Sequence, residues 1–167
     1  MQLNQQEKKM KVVLPVLLVV VVVISIFHST TQPSIEGCYS KSEEITSLAS
    51  EESEIKQSYL NLSKSSNNVL VEGLIWGTNF HICSVGSPSE DSDGPLSMKL
   101  SGDKLLYRYS EPEYGIDCEL EVVIQGNKLL ANDSNNHCSE YVFYCGVHAS
   151  LDGLELTKQS EGCHNDK

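Results

Sequence analysis

The spacing of apolar residues along this chain divides it into three stretches. Residues 12–27 (VVLPVLLVVVVVISIF) are apolar throughout and carry no charge. Residues 42–57 are rich in Glu and Ser, and Ile45, Leu48, Ile55 and Tyr59 recur at roughly helical spacing. A short amphipathic helix fits there, although Glu52 interrupts its stripe. From Tyr59 onward apolar residues recur every second position, the period of a half-buried strand.

The strand-like segments are 59–63, 69–76, 80–85, 96–100, 104–109, 118–125, 128–131, 141–144 and 154–157, and turn residues separate them. Phe80, Ile82 and Ser84 share one face of their segment. Leu96, Met98 and Leu100 share a face in theirs, as do Cys118, Leu120, Val122 and Ile124. Ser101-Gly102-Asp103 and Gln125-Gly126-Asn127 read as hairpin turns. The expected fold is mainly β, a small antiparallel barrel or sandwich of seven or eight short strands with room for a short N-terminal helix. The expected division is 1–31 as a signal peptide or signal anchor, 32–58 as linker and short helix, and 59–167 as a disulfide-stabilised β domain.

Charge and cysteines place the domain in a compartment. Lys8, Lys9 and Lys11 precede the apolar run, as in an export signal, and the positive-inside bias sends the remainder outward. The run has 16 residues, longer than most signal-peptide cores and shorter than the ~20 that span a bilayer, so cleavage and retention both fit. Gly37-Cys38 resembles a lipoprotein acylation site, but Glu36 and the polar residues between the run and Cys38 argue against it. Cys38, Cys83, Cys118, Cys138, Cys145 and Cys163 all follow the run, and an even number in an exported chain implies three disulfides. Of the 15 connectivities six cysteines permit, the expected one joins Cys38 to Cys163, Cys83 to Cys118 and Cys138 to Cys145. After residue 31 there are nine Lys and Arg against 22 Asp and Glu, a formal net charge of −13. Such a field disfavours nucleic acid and anionic lipid and favours a basic protein partner. Membrane contact is expected only through the N-terminal apolar segment.

Asn79-Phe80-His81-Ile82-Cys83, Leu105-Leu106-Tyr107-Arg108, Cys118-Glu119-Leu120 and Tyr144-Cys145-Gly146-Val147-His148-Ala149-Ser150-Leu151 occur in that order. The series resembles a small domain of exported bacterial proteins, a family with no established activity. His148 stands where that family's pattern has Arg. The chain is also similar in size and class to periplasmic lysozyme inhibitors, although their Ser-Gly-x-x-Tyr loop has no counterpart here.

Four sets of side chains invite a chemical reading. His81 beside Cys83 has the composition of a thiol nucleophile and base, but an oxidised Cys83 offers no thiolate. His81, His137, His148 and His164 lack the close ligand pair that zinc sites show, so no metal is expected. Glu119 and Glu121 carry no sign of a glycosidase pair. Glu90, Asp91 and Asp93 fall in the polar stretch 86–95, which is too short for a calcium loop and is the candidate binding loop. Trp76, Tyr107, Tyr109, Tyr141, Phe143 and Tyr144 are expected in the core, and Gly146 in a tight turn. No catalytic residues and no cofactor are expected. The leading functional reading is a non-catalytic binding or inhibitory module of the envelope, with a basic hydrolase such as lysozyme as one target class. A membrane-tethered structural or assembly factor and an enzyme of unrecognised class are the alternatives.

Overall fold

Alternation of apolar and polar residues needs a partner strand to become structure, and here the partners come in chain order. The computed structural model describes residues 34–86 and 94–163. The apolar run 12–27 and the residues Glu90, Asp91, Asp93 and His164 lie outside the described residues. Strand β1 (Gly37–Thr46) and strand β2 (Ser53–Ser65) form a long hairpin in register from Gly37↔Leu62 to Thr46↔Ser53. Strand β3 (Asn68–Trp76) returns along β2. After strand β4 (Ile82–Val85), strands β5 (Leu96–Ser101), β6 (Lys104–Glu111), β7 (Ile116–Gln125) and β8 (Lys128–Asn132) continue the meander. Strand β9 (Glu155–Lys158) pairs with β8 on one side and with β1 on the other. The result is a closed eight-stranded antiparallel barrel with one extra strand.

The extra strand is β4. One edge of β3 is shared, β5 taking residues 68–71 and β4 taking residues 73–76. Inside the barrel, Leu60, Leu62, Val69, Val71, Met98, Leu105, Leu120, Leu129 and Leu156 are each at most 2% exposed. An eight-stranded barrel is about wide enough for side chains to fill, and these fill it. Each such side chain contributes roughly 1.5–3 kcal/mol relative to exposure. Among the described residues no helix is long and apolar enough to cross a membrane.

Several expectations need correction. The stretch expected to hold a helix, 42–57, is instead the end of β1, a turn and the start of β2, with Leu48 and Ile55 exposed. A ladder of ten register pairs with β2 satisfies the backbone there, and tertiary pairing overrides the weak helical spacing. The β domain therefore begins inside the region assigned to linker. Residues 141–144 are not a strand, because residues 138–142 form a helical turn. In β4, Ile82 and Ser84 share a face as expected, the outer one, with Cys83 and Val85 buried opposite, while Phe80 lies in the turn before the strand. The hairpin β5–β6 and the inward set Cys118, Leu120, Val122 and Ile124 are found as expected.

Disulfides join Cys38 to Cys163, Cys83 to Cys145 and Cys118 to Cys138, and no described cysteine is free. The pairings Cys83–Cys118 and Cys138–Cys145 are therefore replaced. Sequence proximity favoured them, but β6, β5 and β3 stand between β7 and β4 in the strand order, and the segment after β8 reaches both. Three disulfides suit an oxidising compartment.

The Cys38–Cys163 bond links positions 125 residues apart. Loop-closure entropy then predicts that a Cys38→Ser/Cys163→Ser chain loses about 4 kcal/mol in urea denaturation, while a loss under about 1 kcal/mol would show that β9 holds the ends without it.

Candidate functional site

One end of the barrel gathers the motifs that were separate in sequence. The loop between β1 and β2, the 78–80 turn before β4, the 112–114 turn between β6 and β7, and the segment from β8 to β9 all lie there. Two strand-linking segments are tied directly: Cys83 bonds Cys145, and the Gly146 amide donates to the Ile82 carbonyl at 2.9 Å. The pairing brings His81 and His148 together with ring centroids 5.6 Å apart. From the third segment, the Leu48 amide donates to Asn79 Oδ1 at 3.1 Å.

Two glycines make this closeness feasible. A Cβ on Gly77 would lie 2.1 Å from the His148 carbonyl oxygen, and one on Gly146 would lie 2.7 Å from His81 Nδ1. Gly146 also begins a turn, its carbonyl accepting from the Ala149 amide at 2.8 Å, so the expected turn role is joined by a packing role. Asn79, Phe80, Asn136 and Tyr144 have positive φ (58°, 57°, 56° and 48°), and all four belong to this end. Bulky residues adopt that backbone region only where surroundings enforce it, and such positions concentrate at functional surfaces.

The scaffold of the end is Asp133, which is fully buried. Its carboxylate accepts from the Cys138 amide at 3.2 Å and the Ser139 amide at 2.7 Å, holding the first amides of the helical turn. Its own amide donates to Asp152 Oδ1 at 3.0 Å. Ser139 Oγ in turn accepts from the Leu151 amide. Sequence reasoning passed over Asp133 as part of a polar turn. Nothing local in the sequence singled it out, because the helical turn it holds reads as a strand.

The other candidates are placed as follows. Cys83 is in a disulfide, so His81 has no thiol beside it. His137 Nδ1 accepts from the Asp117 amide at 3.2 Å, and its ring meets Tyr141 edge-on at 5.3 Å. Among the described residues no group of three or more His, Cys, Asp or Glu is arranged to hold a metal. Glu119 and Glu121 share the outer face of β7, but Glu119 pairs with Arg108 at 2.8 Å and Glu121 with Lys104 at 3.1 Å. Both carboxylates are thus engaged in cross-strand ion pairs rather than facing each other across a cleft.

Of the aromatic residues expected in the core, Tyr107 and Phe143 are half-buried and pack against it, while the others lie toward the surface. Trp76 is half-buried on the outer wall, edge-on to Phe80 at 6.4 Å, with Lys56 Nζ 5.0 Å from its ring centroid. Tyr107 packs on Phe143 at 6.0 Å, while Tyr109 and Tyr141 are exposed and Tyr144 is 82% exposed. Val147, 83% exposed, and Ile82 extend this surface. The Tyr109 hydroxyl donates to Glu111 at 2.9 Å; that bond and the Glu111 charge hold its pKa above the ordinary value. A cleft of about 440 Å³ adjoins the patch, lined in part by Asn136, Ser139, Glu140, Gly146, Val147 and Ser150. The arrangement offers aromatic and apolar contact beside carboxylates, which suits binding of a surface.

Three outcomes are expected. Asp133→Ala strands buried amides and costs about 3 kcal/mol in urea denaturation. Gly146→Ala costs about 1–3 kcal/mol, less when His81→Gly is present, because the added Cβ competes for one space with the His81 Cβ as well as its ring. Burial raises the pKa of Tyr39, Tyr59 and Tyr107 above 10.0. The unfolded chain ionises first, so this stability is complete below pH ~10 and falls as pH rises through the folded pKa values; unfolding midpoints measured from pH ~9 to ~11 check it.

No family model matches the chain, and neither a curated protein nor a solved structure matches it, so function rests on the geometry itself.

Proposed function

We propose that this chain is an extracytoplasmic, non-catalytic binding module that engages a basic protein through the aromatic end of its barrel. The N-terminal apolar run carries the chain into the oxidising space, as a cleaved signal or as an anchor, and the disulfides form there. The observation that carries the binding reading is the exposed set Ile82, Tyr109, Tyr141, Tyr144 and Val147. Tyr144 has positive φ, and the adjoining Cys145 is tied to Cys83. A rigid aromatic surface loses little side-chain entropy on binding, which suits a contact surface.

The filled interior supports a surface mode of binding, since barrels of this size that carry small ligands keep a hollow core. The net charge of −13 after residue 31 favours cationic partners and speeds their encounter. Basic hydrolases, lysozyme among them, are the target class.

The test is titration of the oxidised full chain into a c-type lysozyme turnover assay at low salt. Slowing at micromolar concentration is expected, with recovery at about 1 M salt, where the Debye length is ~3 Å. Tyr144→Ser/Val147→Ser weakens the effect by about tenfold. Absence of slowing, together with no retention of lysozyme or ribonuclease on the immobilised chain, overturns the reading.

A further inference from the structure

Strand β6 is paired on both sides for only part of its length. At residues 104–106 it has β5 on one side and β7 on the other. From Tyr107 to Glu111 the ladder among the described residues continues only with β7. The two neighbours diverge: β5 stays on β3 as far as Leu96↔Val71, while β6 follows β7 to Glu111↔Ile116. Arg108, Tyr109 and Ser110 are all exposed. Consecutive strand residues point to opposite faces, so both faces of β6 are uncovered here.

Hairpin geometry identifies the backbone groups on that edge. Gly102-Asp103 is a two-residue turn, so its flanking residues Ser101 and Lys104 form a hydrogen-bonded pair. Lys104, Leu106, Arg108 and Ser110 then direct their N–H and C=O groups to the β5 side, and odd-numbered residues direct theirs to β7. The Ile124 amide donating to the Asp103 carbonyl at 3.0 Å agrees with this parity. Beyond Leu106, the amides and carbonyls of Arg108 and Ser110 form a strand edge without a described ladder partner.

We propose that this edge receives an extended basic segment of a partner protein by strand addition, a binding mode that rests on the binding-module reading above. Its backbone pairs with Arg108 and Ser110, and its apolar side chains lie over Tyr109. That tyrosine is on the inward face of β6 opposite Cys118, beside Tyr107, which is packed on Phe143. Alternate side chains on such a floor set specificity, while main-chain bonds supply affinity. Charge fixes the partner's chemistry: from Tyr107 to Leu120 the sequence holds Glu111, Glu113, Asp117 and Glu119 with Arg108 as its sole Lys or Arg, and Arg108 is already paired with Glu119. A second copy would bring the same carboxylates together and is repelled.

The experiment uses the oxidised full chain and an eight-residue peptide alternating Lys with Val or Thr. Hydrogen exchange should show the Arg108 and Ser110 amides exposed in the free chain and protected on peptide binding. Two further peptides carry N-methyl groups on alternate residues, one along each edge. Strand addition predicts that one methylated edge weakens binding by about tenfold or more and that the other is tolerated. Equal binding of the two overturns the proposal while leaving a basic-protein surface intact. Protection of Arg108 and Ser110 in the free chain also overturns it. Failure of the peptide and of every basic protein to bind removes both readings.

Discussion

β9 contributes four residues, yet it pairs with β8 on one side and β1 on the other, and by doing so turns a meander into a barrel. Closure removes most strand edges, which would otherwise recruit other chains. It also forces every second residue of each strand inward, and an eight-stranded circumference leaves little more than side-chain volume inside. Large aliphatic residues and Tyr39 occupy that space with almost no exposure. A filled interior of this kind fits the proposed surface mode of binding, at an end of the barrel and where the wall parts. The Cys38–Cys163 bond sits beside this closing contact, since Cys38 lies in β1 and the Gln159 amide just after β9 donates to the Cys38 carbonyl at 2.8 Å.

The end that collects the connecting segments shows how a short sequence can hold a rigid surface without a long helix. Cys118–Cys138 anchors the helical turn to β7, and Cys83–Cys145 anchors its exit to β4. Between the anchors Asp133 supplies acceptors for the amides that begin the turn. Two cross-links and a buried carboxylate thus leave little freedom to residues 138–146, although Tyr141 and Tyr144 within them are exposed. Order at low cost in buried area is what a contact surface needs.

Much of the wall was legible because strand alternation and hairpin turns are local signals. Leu120, Val122 and Ile124 declared their face in sequence, and the turns at Gly102 and Gly126 set the registers on either side. The end was not legible for the opposite reason. Which cysteine Cys83 meets depends on the position of β4 around the barrel, and that follows from long-range pairing rather than from spacing. Tyr141 and Phe143 have strand-like composition, but Asp133 and the Cys118–Cys138 bond impose a helical turn on them. Strand spacing also placed Tyr109 and Tyr144 inside, since it does not separate a core aromatic from an exposed one. His81 and His148 were both noticed as residues; their adjacency is a property of the disulfide and of Gly77 and Gly146.

The parting of β5 from β6 follows from the same closure that seals the rest. Residues 68–76 of β3 present one edge to two successive strands, and β5 keeps its place on that edge through Leu96. β6 is held elsewhere, by eight register pairs with β7 and by the cross-strand ion pairs Lys104–Glu121 and Arg108–Glu119. Two neighbours committed to different partners must separate along their common seam. The carboxylates at Glu111 and Asp117 then disfavour edge-to-edge association of like chains, as charged side chains do on other exposed strands. They do not disfavour a cationic strand, and under the proposed strand addition this asymmetry would make the opening selective.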